Sequence, residues 1–367
     1  MISSSAMTVT TQNQAITSVN APLKLAANRW TAFDGLRGIM AFFVFLAHVN
    51  YDVFPGPIIF MDTFFLMSSF LITKLLLKDW SVTGRINFKK FYIRRAKRLF
   101  PALLAVVLLT TLVTYFYFGR GFKQMLHVVG ALFYFMNWLR ALEIPSDYYL
   151  GHTWSLSIEE QYYMVWPVLL ALSLRSSWYG KKLSWCLVGI VIFCVAWRSA
   201  MAVKGFSVPR LYNGTDMRLD SLALGALLAI NYDAAWMQRW NRLFSRPWLV
   251  WLLIITLLIG MLTVDFRHRQ WYIWQQPCYE FISLALIIGL LQNPLQLGLK
   301  FVFQSRVIVY LGTICYGIYL WHYPILLMGE QILHLSDLSL ALVCGPVTVM
   351  LASISYFILE RPVLRSK

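Results

Sequence analysis

An arginine and a histidine, Arg37 and His48, lie eleven residues apart within one apolar stretch, residues 33–53. A stretch of that length can span a bilayer, and ionisable residues inside such stretches are rare unless they serve a purpose. Eleven residues are close to three helical turns, so the two side chains share one face, about 16 Å apart along the axis. The pattern predicts either a chemical stripe or a structural pair, in which Arg37 reaches the headgroups and His48 packs within a helix bundle.

Two successive carboxylates, Glu159 and Glu160, are candidates for orienting or assisting an imidazole. They point about 100° apart on a helix, so they cannot both line one narrow face, and Glu159 shares its face with Ser155. Imidazole is the usual proton acceptor near neutral pH, and a carboxylate can fix its tautomer.

Further polar and aromatic side chains lie in apolar surroundings. Tyr316, Tyr319 and His322 are three residues apart and form one helical stripe. Arg218 and Asp220 are two residues apart, so they do not face each other on a helix. The remaining polar residues of this kind are Asp62, Ser68, Ser69, His152 and Glu360.

The elements that position these residues are predicted from composition. The 367 residues are 59% hydrophobic and 13% charged, which is typical of an all-α, polytopic membrane helix bundle. The net charge is +16, and the basic residues lie between apolar runs. This placement favours positive cytoplasmic loops over a nucleic-acid groove, so no nucleic-acid partner is expected. Five cysteines without a CxxC or His/Cys ligand spacing predict no metal site.

About ten segments have a length and apolarity suited to spanning. They are residues 33–53, 57–77, 99–119, 154–174, 183–201, 216–232, 248–264, 277–292, 307–328 and 338–358.

Residues 122–140 are ambiguous, and loop charge decides how we interpret them. If they do not cross and the N-terminus is cytoplasmic, Lys and Arg number 21 on the inner side and 8 on the outer side. If they cross, the numbers become 16 and 13. The positive-inside rule favours the first arrangement, with ten spans, both termini cytoplasmic and residues 120–153 an excursion on the outer side.

Residues 1–32 lack acidic residues and a signal-peptide apolar core, and we expect a disordered cytoplasmic tail. Residues 33–362 are expected to form a single transmembrane domain. A dense basic cluster, residues 89–98, then lies on the cytoplasmic side before the third span. It is either an orientation signal that also attracts membrane lipid, or a docking site for a phosphate-rich ligand, in which Arg95 and Arg98 share a face.

Six short motifs occur together along nearly the whole chain, from Phe33 to Pro362. They are Asp34-Gly-Leu-Arg37 followed by His48, Phe64-Phe-Leu-Met-Ser68-Ser69, Arg94-Arg95-Ala-Lys97-Arg98, His152-Thr-Trp154-Ser155-Leu-Ser-Ile-Glu159-Glu160, Tyr316-Gly-Ile-Tyr319-Leu-Trp321-His322, and Glu360-Arg361-Pro362. In this order they resemble the integral-membrane acyltransferase-3 family of sugar and polysaccharide O-acyltransferases. The family usually has glycine where this chain has Ser69.

The resemblance implies an acyl-CoA co-substrate, commonly acetyl-CoA, no permanently bound cofactor, and a glycan or lipid-linked sugar as acceptor in the bacterial inner membrane. It implies catalytic roles for His48, Glu159 and Glu160, and donor binding by Arg37, Arg95 and Arg98. His152, Trp154, Tyr316 and His322 are the expected acceptor-binding residues, with Trp154 as a sugar platform. Some members carry an extracytoplasmic esterase-like domain; since the sequence ends seven residues after Glu360, we expect such a domain to be a separate protein.

In the mechanism we expect, His48 is the general base in direct attack of a hydroxyl on the thioester. A covalent acyl-enzyme through Ser68 or His48 is the alternative. A multi-span transporter or flippase is the rival function, because carriers also combine many spans with intramembrane charge, although we find no internal repeat of the kind that carriers often show.

Overall fold

The computed structural model describes residues 27–119, 122–145, 149–292 and 298–365, and within them every regular element is helical. The all-α prediction is therefore confirmed. The α-helices, in chain order, are α1 Ala27–Val49, α2 Ile58–Thr83, α3 Phe88–Phe118, α4 Phe122–Leu132, α5 Met136–Ala141, α6 Trp154–Arg175, α7 Lys181–Val203, α8 Val208–Asn213, α9 Leu219–Asn231, α10 Met237–Phe244, α11 Pro247–Thr263, α12 Gln276–Gln292, α13 Leu299–Phe303, α14 Arg306–Thr313, α15 Cys315–Gln331, α16 Asp337–Ile354 and α17 Arg361–Arg365.

Each of the ten predicted spans coincides with a helix or a bent helix pair. In the described part of the chain, five helices are long and apolar enough to cross a membrane alone, namely α1, α2, α3, α7 and α16 with its continuation. Two bent pairs, α10 with α11 at 78° and α14 with α15 at 74°, bring the number to seven if each is one span. The count of ten spans and the cytoplasmic location of both termini stay predictions.

The ambiguous segment 122–140 folds as two short helices, α4 of 11 residues and α5 of 6 residues. A turn separates them, and Tyr134 within it has a φ of 57°, the left-handed region that breaks a helix. Neither helix has the roughly 20 residues that a span needs, so the segment does not cross as one helix.

The predicted tail, residues 1–32, includes the first residues of helix α1, and the extent of the tail and of the domain stays a prediction. Helix α1 begins at Ala27, since no glycine or proline interrupts the chain between there and Asp34. The rest of the predicted tail, residues 1–26, lies outside the described residues.

Helix α2 occupies the centre of the bundle, with 72% of its most apolar stretch buried, whereas the corresponding value is 22% for α16.

Two pairs of helices cross closely, each with a glycine at the contact. A Cβ at Gly225 of α9 would lie 2.2 Å from the Leu66 carbonyl oxygen of α2, and a Cβ at Gly312 of α14 would lie 1.7 Å from the Asp34 carbonyl oxygen of α1. Only residues without a side chain permit such backbone approach, which is how apolar helices pack in membranes.

Candidate active site

One cavity of about 1690 Å³ lies between α1, α2, α3, α6 and α15. It exceeds the roughly 300–1,000 Å³ of ordinary small-molecule pockets, so it has room for a long ligand. The predicted site residues that line it are Arg37, Arg95, Arg98, Glu159, Tyr316 and His322. The predicted site residues that do not line it are His48, His152, Trp154 and Glu160.

The first turns of α3 give the cavity a basic end. Lys90, Arg94 and Arg98 line it at spacings of four residues, which places them on one helix face. The sequence analysis included Lys90 and Arg94 in the basic cluster of residues 89–98 but singled out Arg95 and Arg98, although the four-residue spacing of Lys90, Arg94 and Arg98 was the available signal. Arg37 of α1 lines the same cavity and forms an ion pair with Asp34 at 3.2 Å.

Arg95 is held in place by protein groups. Its guanidinium forms an ion pair with Glu160 and lies 3.8 Å above the centre of the Tyr163 ring. Glu160 of α6 is thereby committed to neutralising an arginine of α3. The structure thus gives Glu160 a positioning contact and brings it next to Arg95 rather than to a histidine.

Glu159 faces the other way, as the 100° separation predicts. It lines the cavity together with Ser155 and with Ser68 of α2. The hydroxyl of Ser68 also bonds to that of Tyr163. Ser69, at the position where the family usually has glycine, donates a hydrogen bond of 2.6 Å to the Leu222 carbonyl of α9.

The stripe predicted on α1 is present. Arg37, Ala41 and Val44 line the cavity in succession, and His48 lies one turn further along the same face. The Nδ1–H of His48 donates to the Val44 carbonyl at 2.8 Å. His48 is therefore located just past the last cavity-lining residue of α1.

The stripe predicted on α15 is also present, because Tyr316, Tyr319 and His322 all line the cavity. The Tyr316 hydroxyl donates to the Leu99 carbonyl at 2.7 Å, beside Arg98. The Tyr319 hydroxyl bonds to Ser155 at 2.6 Å. The tyrosines thus attach α15 to α3 and to α6, and His322 lies at the end of the stripe that is furthest from the basic residues.

Three histidines from three helical regions meet beyond that end. The ring centre of His322 lies 5.0 Å from that of His48 and 5.6 Å from that of His152. Tyr323 completes the cluster, with its ring 5.2 Å from His48 and 5.1 Å from His152. The sequence analysis named His48, His152 and His322 separately but did not predict that the three meet, and it did not name Tyr323.

Backbone carbonyls determine the tautomers of the two buried histidines, because a carbonyl oxygen only accepts hydrogen bonds. In His322, Nδ1–H donates to the Ile318 carbonyl at 3.1 Å. In His152, Nε2–H donates to the Leu320 carbonyl at 3.1 Å. The remaining nitrogens, Nε2 of His322 and Nδ1 of His152, are buried and have no hydrogen-bond partner among the described residues. In the neutral form of each ring, this nitrogen carries the lone pair.

Trp154 is buried in aromatic packing. Its ring lies 6.1 Å from Phe65 and 4.8 Å from Tyr212, and the Arg218 guanidinium lies 5.9 Å from its centre. The ring is 5% exposed, so it presents no free face on which a sugar could stack. The burial of Trp154 disfavours its predicted role as a sugar platform.

Two further buried arginines pair with carboxylates across helices. Arg218 donates to Asp62 at 3.0 Å, and Arg198 donates to Asp220 at 2.6 Å. The prediction that Arg218 and Asp220 do not face each other is confirmed, because each has its partner on a different helix. These pairs link α2, α7 and the start of α9.

Comparison with known proteins identifies the family. A family model described as an acyltransferase domain matches residues 30–359. The chain belongs to the acyltransferase-3 family. It is an integral membrane protein of the acyltransferase class, as the six motifs predict.

The chain is similar to several bacterial proteins. It is 28% identical to the peptidoglycan O-acetyltransferase OatA of Listeria monocytogenes over 352 residues, which cover 91% of this chain and 56% of that protein. It is 30% identical to the putative peptidoglycan O-acetyltransferase YrhL of Bacillus subtilis, over 90% of this chain and 54% of that protein. It is also 30% identical to a putative O-acetyltransferase of Staphylococcus aureus, over 90% of this chain and 56% of that protein.

The chain thus spans a little over half the length of the curated relatives that it matches. No solved structure matches it.

Proposed function

We propose that this chain is an O-acyltransferase of the bacterial inner membrane. It takes an acyl group, acetyl in the simplest case, from cytoplasmic acyl-CoA and transfers it to a hydroxyl of a glycan or lipid-linked sugar on the opposite side. The observation that carries this proposal is the single cavity that joins a basic end on α3 to His322, whose ring lies 5.0 Å from that of His48.

The basic end suits the nucleotide of CoA. CoA carries several phosphate groups, and arginine binds phosphate through two parallel N–H donors. Arg98 is assigned this contact, together with Lys90 and Arg94 on the same helix face. Arg95 is already paired with Glu160, so its role is to support the basic face. Arg37 lines the wall of the cavity and is paired with Asp34.

The length of the cavity suits the pantetheine arm. From Arg37 to His48 the distance along α1 is about 16 Å, and the walls between them are largely apolar. A thioester entering from the basic end would therefore reach the histidine cluster while the phosphates remain at the arginines.

His48 is suited to act on the acceptor. Its Nδ1–H is held by the Val44 carbonyl, so Nε2 is the basic nitrogen that can take the hydroxyl proton. His48 also touches Tyr51, with ring centres 5.2 Å apart, and Tyr51 contacts Phe266 in the loop after α11. In the predicted orientation these contacts lie at the outer surface, where a glycan acceptor would arrive.

The relatives favour a polysaccharide acceptor, since two of them are described as peptidoglycan O-acetyltransferases, one of these putatively. Because the chain matches little more than half of each, we extend to it only O-acyl transfer to a glycan and propose a cell-wall glycan as the first acceptor to test.

The test uses the full chain, purified and reconstituted in lipid nanodiscs, with radiolabelled acetyl-CoA and glycan fragments from a peptidoglycan digest. We expect label in the glycan together with an equal amount of free CoA thiol. His127→Gln is the matched control, because His127 is a buried histidine that does not line the cavity. Uptake of glycan without thiol release, or no consumption of acetyl-CoA with any glycan, would overturn the proposal.

A further inference from the structure

The two central histidines are placed for different steps. His322 lines the cavity, whereas His48 does not, although their ring centres are only 5.0 Å apart. We propose that His322 is a nucleophile that carries the acyl group as a covalent intermediate, and that His48 is the base of the second step. This inference rests on the proposed function and adds an acyl-enzyme at a residue that was expected only to bind substrate.

His322 has the form that a nucleophilic imidazole needs. Its Nδ1–H is bound to the Ile318 carbonyl, so the lone pair is on Nε2. That Nε2 has almost no exposed surface and no hydrogen-bond partner among the described residues, so its reaction requires neighbouring side chains to shift but no protein donor to be displaced. Histidine is one of the side chains that form covalent intermediates in acyl transfer.

In the first step, the Nε2 lone pair attacks the thioester carbonyl carbon. The carbon–nitrogen bond forms, the carbon–sulfur bond breaks, and the electron pair leaves with the sulfur as CoA thiolate, which takes a proton from the cytoplasmic solvent. The ring becomes a positively charged acyl-imidazolium, and the Ile318 carbonyl oxygen, which already accepts from Nδ1–H, stabilises that charge.

In the second step, the acceptor hydroxyl attacks the acyl carbon. The oxygen–carbon bond forms, the bond to Nε2 of His322 breaks, and that electron pair restores the neutral ring. The hydroxyl proton passes to Nε2 of His48, the neighbouring imidazole, and then to outer solvent. The two half-reactions thus use the cavity side and the outer side of one histidine pair.

Other nucleophiles are placed less well. The Ser68 hydroxyl also lines the cavity, but it is bonded to Tyr163, whose ring centre lies 3.8 Å from the Arg95 guanidinium, so Ser68 lies toward the basic end. Cys315 lines the cavity, but it precedes His322 by seven residues, about 10 Å along α15, and therefore lies toward the basic end. His152 has a free Nδ1 but does not line the cavity.

Isotope exchange tests the intermediate without any acceptor. The nanodisc-embedded full chain is incubated with unlabelled acetyl-CoA and radiolabelled CoA, and label is followed into acetyl-CoA. A covalent acyl-enzyme predicts exchange in the wild type. We expect His322→Gln and His322→Asn to lose both exchange and glycan acetylation by about 100-fold or more. We expect His48→Gln to lose glycan acetylation by a similar factor but to retain exchange within about threefold, because the first step needs no base.

The controls separate this inference from the proposed function. His127→Gln should keep both activities, and acetyl-CoA binding by the His322 variants shows that the cavity is intact. Glycan acetylation by the wild type without exchange would overturn the intermediate and leave the proposed function standing. Exchange that survives in both His322 variants, or that is lost in Cys315→Ser but not in them, would overturn the assignment to His322. Failure of the wild type to use acetyl-CoA at all would refute the proposed function itself.

Discussion

The rings of His48 and His322 lie 5.0 Å apart, yet His322 lines the cavity that begins at the basic end of α3 and His48 does not. The two residues come from α1 and α15 and are 274 positions apart in the sequence. Their juxtaposition depends on α1 crossing α14, the short helix that leads into α15. Such a pair suits the proposed transfer, in which donor and acceptor would enter from opposite sides of the membrane and meet at one carbon atom.

Replacing His48 should reduce acyl transfer without disturbing the fold. His48→Gln keeps a polar side chain of similar length but removes the base, and we expect glycan acetylation to fall by about 100-fold or more. Size-exclusion elution in detergent should be unchanged, because the hydrogen bond lost is a single bond to the Val44 carbonyl. Near wild-type transfer by this variant would exclude His48 as the base.

Removing Arg98 should weaken donor binding. A charge-assisted hydrogen bond is worth about 1.5–3 kcal/mol, so Arg98→Ala should raise the KM for acetyl-CoA by roughly 10-fold or more, with a smaller effect on kcat. The difference from wild type should shrink at high salt, since screening weakens exposed charge interactions.

Lys97→Ala is the matched control for that variant. Lys97 adjoins Arg98 and carries the same charge, but it does not line the cavity. Equal effects of the two substitutions would mean that the cluster acts as an orientation or lipid signal rather than as a docking site.

Local periodicity explains what the sequence predicted well. The stripes Arg37–His48 and Tyr316–His322 depend only on the geometry of one helix, and both are present. Glu159 and Glu160 point in different directions for the same reason, since they are adjacent on one helix. Such features are readable because spacing along one helix determines which side chains share a face.

Contacts between distant helices had no such signal. The partner of Arg95 is Glu160, 65 residues away, and the partner of Arg218 is Asp62, 156 residues away. His152 joins His322 because a short helical turn before α6 packs against α15. Spacing cannot show which of several carboxylates or histidines will be neighbours, because that depends on how the helices cross.

The ion pair of Arg95 and Glu160 should contribute to stability more than to catalysis. Both side chains are mostly buried, so Glu160→Ala leaves an unpaired arginine and should lower the free energy of unfolding by about 3 kcal/mol. Arg95→Ala should lower the free energy of unfolding by a similar amount. Thermal unfolding in detergent measures both.

The double variant tests the coupling of that pair. Each single variant breaks the same pair. The double variant should therefore lose less free energy of unfolding than the sum of the two single losses, by about 1–3 kcal/mol. Additive effects would show that the pair contributes nothing, and a normal stability with abolished turnover in Glu160→Gln would restore Glu160 as a catalytic candidate.

The crossing of α1 and α14 should control the position of the donor site. A Cβ at Gly312 would lie 1.7 Å from the Asp34 carbonyl oxygen, so Gly312→Ala forces the two helices apart. Asp34 forms an ion pair with Arg37, which lines the cavity, and α1 also carries His48. We therefore expect reduced thermal stability, a raised KM for acetyl-CoA and a lower kcat in the same protein.

Gly189→Ala provides the comparison for Gly312→Ala. Gly189 lies within α7, and a Cβ there would meet no atom within 4 Å. Because alanine is favoured over glycine in a helix by about 1 kcal/mol, this variant should be at least as stable as the wild type and equally active. If Gly312→Ala behaved in the same way, α1 and α14 would have to separate without moving Arg37 or His48, and the crossing would not set the geometry of the site.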